Sequence, residues 1–154
     1  MQRSFVSRSP AETRQLAARL GVGLEPGDVV ALRGELGAGK TEFVRGLAAG
    51  LGVPEDAVAS PSFALAYEYQ GRLTLVHLDL YRLAGLSPEF LPDLEDYLTG
   101  PQVVAVEWAE RLGNLLPPEH LDVFLAISGE EERQLTLTGH GPRWEEVLGN
   151  LSSR

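Results

Sequence analysis

Gly34-Glu35-Leu36-Gly37-Ala38-Gly39-Lys40-Thr41 is the stretch on which the reading of the whole chain turns. It satisfies G-x-x-x-x-G-K-S/T at every fixed position, and each fixed position has a chemical reason. The glycines let backbone N–H groups turn inward around phosphate oxygens, and the helix that follows presents its N-terminus to the same negative charge. Lys40 is placed to reach the β and γ phosphates of a nucleotide, and the Thr41 hydroxyl to ligate Mg²⁺. A chance match in a chain of this length has a probability on the order of half a per cent from average residue usage. The flanks supply the context that an ordinary glycine-rich turn would not need. Val29 to Leu32 is a continuous apolar run, the pattern of a strand buried on both sides. Phe43, Val44, Leu47, Ala48 and Leu51 then recur at helical spacing until Gly52 and Pro54 stop the helix. Of the 13 basic residues 12 are arginine, and the only lysine is Lys40. A compact ammonium does in a tight phosphate cradle what a planar guanidinium cannot.

Toward the N-terminus, Ser9-Pro10-Ala11-Glu12 predicts a helix start, with Ser9 as N-cap, Pro10 at the first helical position and Glu12 closing a capping box. Leu16, Ala17 and Leu20 line one face, and Gly21 is placed to end the helix. A Pro26-Gly27 turn leads into the Val29 run. On the other side, Phe63 to Tyr69 and Leu73 to Leu78 read as an antiparallel hairpin turning at Gln70-Gly71, with Asp79 at its end. Ser87 to Leu98 predicts a short helix whose start is delayed by Pro88 and Pro92. Val103 to Val106 is a second wholly apolar strand, and Glu107 follows it. Leu121 to Ile127 and Gln134 to Thr138 predict two more strands linked through Gly129 and three glutamates, and Trp144 to Leu151 a closing helix. No internal repeat, low-complexity tract or linker interrupts this order. The expected fold class is α/β, a three-layer P-loop NTPase fold with a mixed, partly parallel sheet, in one domain over residues 1–154.

Phosphoryl transfer also needs a carboxylate near Mg²⁺ and a group to orient the attacking water. Asp79 and Glu107 each follow a strand, and ligands of open α/β sheets bind at the carboxyl ends of strands. Taken alone, a strand-end acid is as often a solvated surface group. The buried run before Glu107 favours the functional reading there, and Asp79 gains from its neighbours. Guanine-specific P-loop proteins commonly read the base with N/T-K-x-D, which needs a second lysine; ATP is therefore the expected nucleotide. The net charge of −9 repels phosphate backbones, so tRNA or any other nucleic acid is expected only indirectly, on a partner. The chain has no cysteine, which excludes disulfide-linked partners and thiolate metal sites. No apolar stretch approaches the roughly 18 residues of a membrane span, and no secretory signal opens the chain, so the expected location is cytoplasmic.

Four blocks in order bring the chain close to a known family: Gly34 to Thr41, Ser60-Pro61-Ser62-Phe63, His77-Leu78-Asp79-Leu80-Tyr81-Arg82-Leu83 and Val106-Glu107-Trp108. Together they resemble the TsaE (YjeE) family of small bacterial P-loop ATPases, which act in tRNA threonylcarbamoyladenosine synthesis. The loop is shared by many families; H-x-D-x-Y-R followed by E-W is far more restrictive. The resemblance implies that Thr41 and Glu107 ligate Mg²⁺, and that Asp79 acts close to the γ-phosphate, orienting water or Mg²⁺-bound water. It makes Ser60 to Phe63 a nucleotide-responsive loop, with Ser62 where the family usually has threonine. Arg133 resembles the family's contact near the base. From the residues alone, His77 reads as a satisfied strand histidine, Tyr81 as a strand-end aromatic, Arg82 as a surface cation and Trp108 as core. The resemblance turns Arg82 and Trp108 toward the site or a partner. The implied role is an ATPase accessory subunit working through transferase partners resembling TsaD and TsaB. Two rivals are a small-molecule kinase, for which the arginines after the loop are too scattered to form a lid, and a nucleotide-dependent binding module with slow hydrolysis.

Overall fold

The computed structural model describes residues 1–54, 60–63, 66–80, 89 and 91–151, with 60–63 described as backbone alone. The chain runs β1 (Gln2–Ser7), α1 (Pro10–Val22), β2 (Val29–Arg33), α2 (Lys40–Gly50), β3 (Ser60–Phe63), β4 (Ala66–Gln70) and β5 (Thr74–Asp79). It continues through α3 (Leu91–Thr99), β6 (Val103–Glu107), 3₁₀ turns over Ala109–Leu115, β7 (His120–Ile127), β8 (Arg133–His140) and α4 (Pro142–Gly149).

One sheet takes the order β1-β8-β7-β2-β6-β5-β4-β3. The middle strands β7, β2, β6 and β5 are parallel. Antiparallel strands extend it on both sides, β8 and β1 beyond β7, β4 and β3 beyond β5. The sheet is thus mixed and partly parallel, and β4 and β5 form the expected hairpin, Gln70 opposite Thr74. The expected first strand, Phe63 to Tyr69, is corrected: Phe63 ends β3, which turns back antiparallel on β4 with Phe63 opposite Ala66. The apolar runs of β2 and β6 are explained by cover on both faces. Val30, Leu32, Val103 and Ala105 enter a core with Leu16 and Leu20 of α1, Phe43 and Leu47 of α2, and Trp144 and Leu148 of α4. Val29, Ala31, Val104 and Val106 enter a second core with Leu94 and Leu98 of α3 and with Ala109 and Leu112. That second core draws no residue from β7, β8 or β1.

Ser9 caps α1 as expected, its Oγ accepting from the Glu12 N–H at 3.1 Å. The Glu12 carboxylate reaches one residue further back than a capping box requires, to the Arg8 N–H at 3.0 Å. Gly21 does not end the helix, which runs to Val22. It serves helix packing instead: a Cβ there would lie 2.7 Å from the Leu47 carbonyl oxygen, and Cβ atoms at Gly46 and Gly50 would press still closer on the carbonyls of Arg14 and Ala18. α1 and α2 therefore meet backbone to backbone. α3 begins at Leu91, keeping Pro92 in its first turn, where a missing N–H costs nothing. β1 is a finding beyond the sequence reading. It buries only Phe5 and Ser7, and is held by β8, by a 2.7 Å hydroxyl pair between Ser7 and Thr13, and by Arg3, which caps the end of α4 at the Leu148 and Leu151 carbonyls. Among the described residues no helix is long and apolar enough to cross a membrane.

Candidate nucleotide site

The site is assembled by strand register. Leu32 of β2 lies opposite Glu107 of β6, and Glu107 opposite Asp79 of β5. The carboxyl ends of three adjacent parallel strands thus share one edge, and the glycine loop leaves β2 there. Leu75 and Ala105 point into the core under α1 and α2, so pleat alternation sends His77, Asp79 and Glu107 to that same face.

The loop takes its shape from glycine. Gly34, Gly37 and Gly39 have φ of 147°, 83° and 104°, which a Cβ would strain. The Ala38 N–H donates to the Glu35 carbonyl at 3.1 Å, closing the turn. With Gly39 at the cap, no side chain caps the first-turn N–H groups of α2. Thr41 stands exposed in that first turn.

Lys40 is only 5% exposed. Its Nζ donates to the Gly34 carbonyl at 2.5 Å and rests 3.8 Å from the centroid of the Trp108 ring. Burial lowers the amine's pKa below the usual lysine value, an effect partly offset by the charges of Glu107, Glu110 and Asp79. Trp108 holds φ 61°, the only left-handed non-glycine among the described residues, and this bend after β6 turns its indole onto Lys40. The same ring packs against the second core, so the core and site readings of Trp108 each describe one side of it.

Glu107, 6% exposed, accepts from His77 Nε2 across 2.5 Å. His77 is a satisfied strand histidine, and the group that satisfies it is the candidate metal ligand. A buried hydrogen bond of this kind fixes the direction of the carboxylate. Thr41 and His77 border a hollow of about 890 Å³ that runs along α1 and α2 past Arg14, Ala18, Arg45 and Ala49, and whose described lining includes neither the loop Gly34 to Lys40 nor Asp79 or Glu107. Arg133 reaches the loop from β8: one amine donates to the Gly37 carbonyl at 3.1 Å, the other to Gly129 and Glu132 carbonyls at 3.1 and 2.8 Å. It ties the β7–β8 turn to the glycine loop.

Ser60 to Phe63, expected as a loop, is instead strand β3, its backbone paired antiparallel to β4 with Ser60 opposite Glu68. Their side chains, and Tyr81 and Arg82 altogether, lie outside the described residues. Glu35 and Leu36 are exposed on the outside of the loop, whereas Ala38 is buried beneath it. Glu110, which acts electrostatically on Lys40, is not legible in the sequence, since a short 3₁₀ turn leaves no periodic signal.

Comparison with known proteins converges on one group. The family model described as threonylcarbamoyl adenosine biosynthesis protein TsaE matches residues 7–135. A Bacillus subtilis relative named tRNA threonylcarbamoyladenosine biosynthesis protein TsaE is 40% identical over 145 residues, spanning 94% of this chain and 90% of the relative. A Treponema pallidum protein of the same name is 42% identical over 132 residues, 86% of this chain and 97% of the relative. The crystal structure of Bacillus subtilis YdiB superposes with a TM-score of 0.83 at 36% identity, covering 98% of this chain and 94% of that one. A family model matched over residues 7–135, and relatives 40% and 42% identical over most of their own length, show that this chain belongs to the TsaE family.

Proposed function

We propose that the chain binds Mg-ATP on Gly34 to Thr41 and hydrolyses it as the ATPase subunit of the cytoplasmic machinery that makes N6-threonylcarbamoyladenosine in tRNA. The observation that carries this reading is the shared edge, with Gly34, Glu107 and Asp79 at the ends of adjacent strands and Lys40 directly behind the loop. The curated relatives, named for tRNA threonylcarbamoyladenosine biosynthesis, supply the pathway.

The donor set fits Mg²⁺. Thr41 offers a hydroxyl and Glu107 a carboxylate already aimed by His77, with Asp79 beside them, and hard cations take oxygen ligands. When bound, the ion neutralises charge on the β and γ phosphate oxygens. Lys40's present partners, a carbonyl oxygen and an aromatic face, are both uncharged. A polyphosphate is the stronger acceptor and draws the ammonium off Gly34. Asp79, at the end of β5, orients the attacking water. The base is held toward the Arg133 side, where the guanidinium already touches the loop. At net charge −9 the chain leaves tRNA to transferase partners resembling TsaD and TsaB and contributes through protein contacts.

The test is ATP turnover by the purified chain, alone and with those partners. Expected are slow turnover alone, acceleration in the complex, and losses on the order of 100-fold or more in Lys40→Ala and Glu107→Ala. Failure to bind nucleotide overturns the proposal outright, and turnover indifferent to the partners overturns the assignment to the complex.

A further inference from the structure

Another constellation lies across the sheet from the nucleotide site. β7 and β8 pair antiparallel with His120 directly opposite His140, and Asp122 stands two residues along β7 on the same face. Leu121, Val123 and Leu125 enter the core under α1 and α2, so His120 and Asp122 project from the opposite face of the sheet. The two imidazoles stack, with centroids 4.5 Å apart and planes 28° from parallel. Their Nε2 atoms converge on one oxygen, Asp122 Oδ2, at 3.3 Å from His120 and 2.8 Å from His140. All three ligating atoms lie within 4.8 Å of one another.

The hydrogen bonds decide which atoms are available. The Pro117 carbonyl oxygen, 2.7 Å from His120 Nδ1, can only accept, so Nδ1 carries the proton and the neutral ring keeps its lone pair on Nε2. That lone pair faces a carboxylate oxygen, a second acceptor. The pair repels unless a positive centre stands between them or the ring takes another proton. Asp122 is meanwhile anchored through its other oxygen, Oδ1, which accepts from Arg33 Nε at 2.9 Å. A histidine whose far nitrogen donates to a backbone carbonyl, beside a carboxylate hydrogen-bonded through its second oxygen, is the arrangement that orients metal ligands.

We propose that His120 Nε2, His140 Nε2 and Asp122 Oδ2 form a binding site for a divalent transition-metal ion, Zn²⁺ foremost, with a fourth position open to solvent. Two imidazoles and one carboxylate suit zinc and its neighbours, whereas Mg²⁺ and Ca²⁺ prefer oxygen alone. Zn–N bonds of about 2.0–2.1 Å at tetrahedral angles set ligand atoms about 3.3 Å apart. The His120–Asp122 separation of 3.3 Å already has that value. The His140–Asp122 separation of 2.8 Å has to open by about half an ångström, the His120 and His140 nitrogens lie within 4.8 Å of each other, and the His140 side chain, 44% exposed, leaves an entry path. The ion clips β7 to β8 at the end of the pair and, through Arg33, to the strand that delivers Gly34. None of its ligands belongs to the nucleotide site, so the two centres are separable by mutation.

The experiment uses the untagged chain without nucleotide, in excess Mg²⁺, titrated with Zn²⁺ by calorimetry and with Co²⁺ by visible absorption. Expected are one Zn²⁺ per chain and a tetrahedral Co²⁺ spectrum, with affinity falling tenfold or more in His140→Gln and Asp122→Asn. Glu107→Ala, which removes the other histidine-linked carboxylate, leaves the binding unchanged. The half-exposed His140 makes His140→Gln the variant that keeps the fold, and circular dichroism verifies this. Absence of Zn²⁺ binding, binding undiminished in His140→Gln, or binding lost in Glu107→Ala each overturns the site.

Discussion

Strands β6 and β8 belong to one sheet and differ in nearly everything else. All five residues of β6 are buried, whereas β8 buries only Leu135 and Leu137 of its eight. β6 is parallel to both neighbours and roofed on two faces, so Val103 to Val106 have nowhere polar to point and only Glu107, at the strand end, is polar. β8 is antiparallel to both neighbours and joins a core on one face, so apolar and polar residues alternate along it. The contrast carries over to chemistry. An acid at the end of β6 lands in a buried setting, where a single histidine fixes it and its charge partly offsets the effect of burial on the nearby Lys40 ammonium. The polar face of β7 and β8 instead presents partly solvated ligands that an ion from bulk water can reach.

Three substitutions test whether the two halves differ in energy as they do in burial. Leu32→Ala empties a fully buried position between α1, α2 and the sheet, and is expected to cost about 2–5 kcal/mol, read from the urea midpoint at unchanged slope. Gly46→Ala drives a methyl toward the Arg14 carbonyl and the Ala17 side chain, and is expected to cost about 1–3 kcal/mol. A neutral result there would mean that α1 moves freely over α2, and the covered half would lose its rigid roof. Phe124→Ala, on the face of β7 that the second core does not reach, removes a side chain that is 49% exposed and should change stability by no more than about 0.5 kcal/mol. A loss as large as that of Leu32→Ala would erase the comparison, because something would then have to cover that face in solution.

The same contrast explains what the sequence reveals. β2, β6 and the loop between β2 and α2 are legible because long apolar runs and a spaced glycine motif are local signals. The β4–β5 hairpin is legible for the same reason, through its turn. β1 is not, since its stability comes from pairing with β8, more than 120 residues away. Gly21 reads as a helix stop because glycine's packing role becomes visible only when α2 lies against it. Asp79 and Glu107 are legible as strand-end acids, but their shared row depends on register. His77 as the partner of Glu107 is legible only in three dimensions. His120, Asp122 and His140 are invisible for that reason too, being separated along the chain and joined by one strand pairing.

Lys40 lying on the face of Trp108 has a photophysical meaning. The chain has two tryptophans, and the other, Trp144, is buried in α4 against Gly139 of β8. Indole emission responds to charge set against the ring. With Trp144 replaced by phenylalanine, the molecule carries a single tryptophan, in contact with the one lysine of the chain. Every displacement of that ammonium is then written into the colour and lifetime of the light the protein emits, with no dye attached.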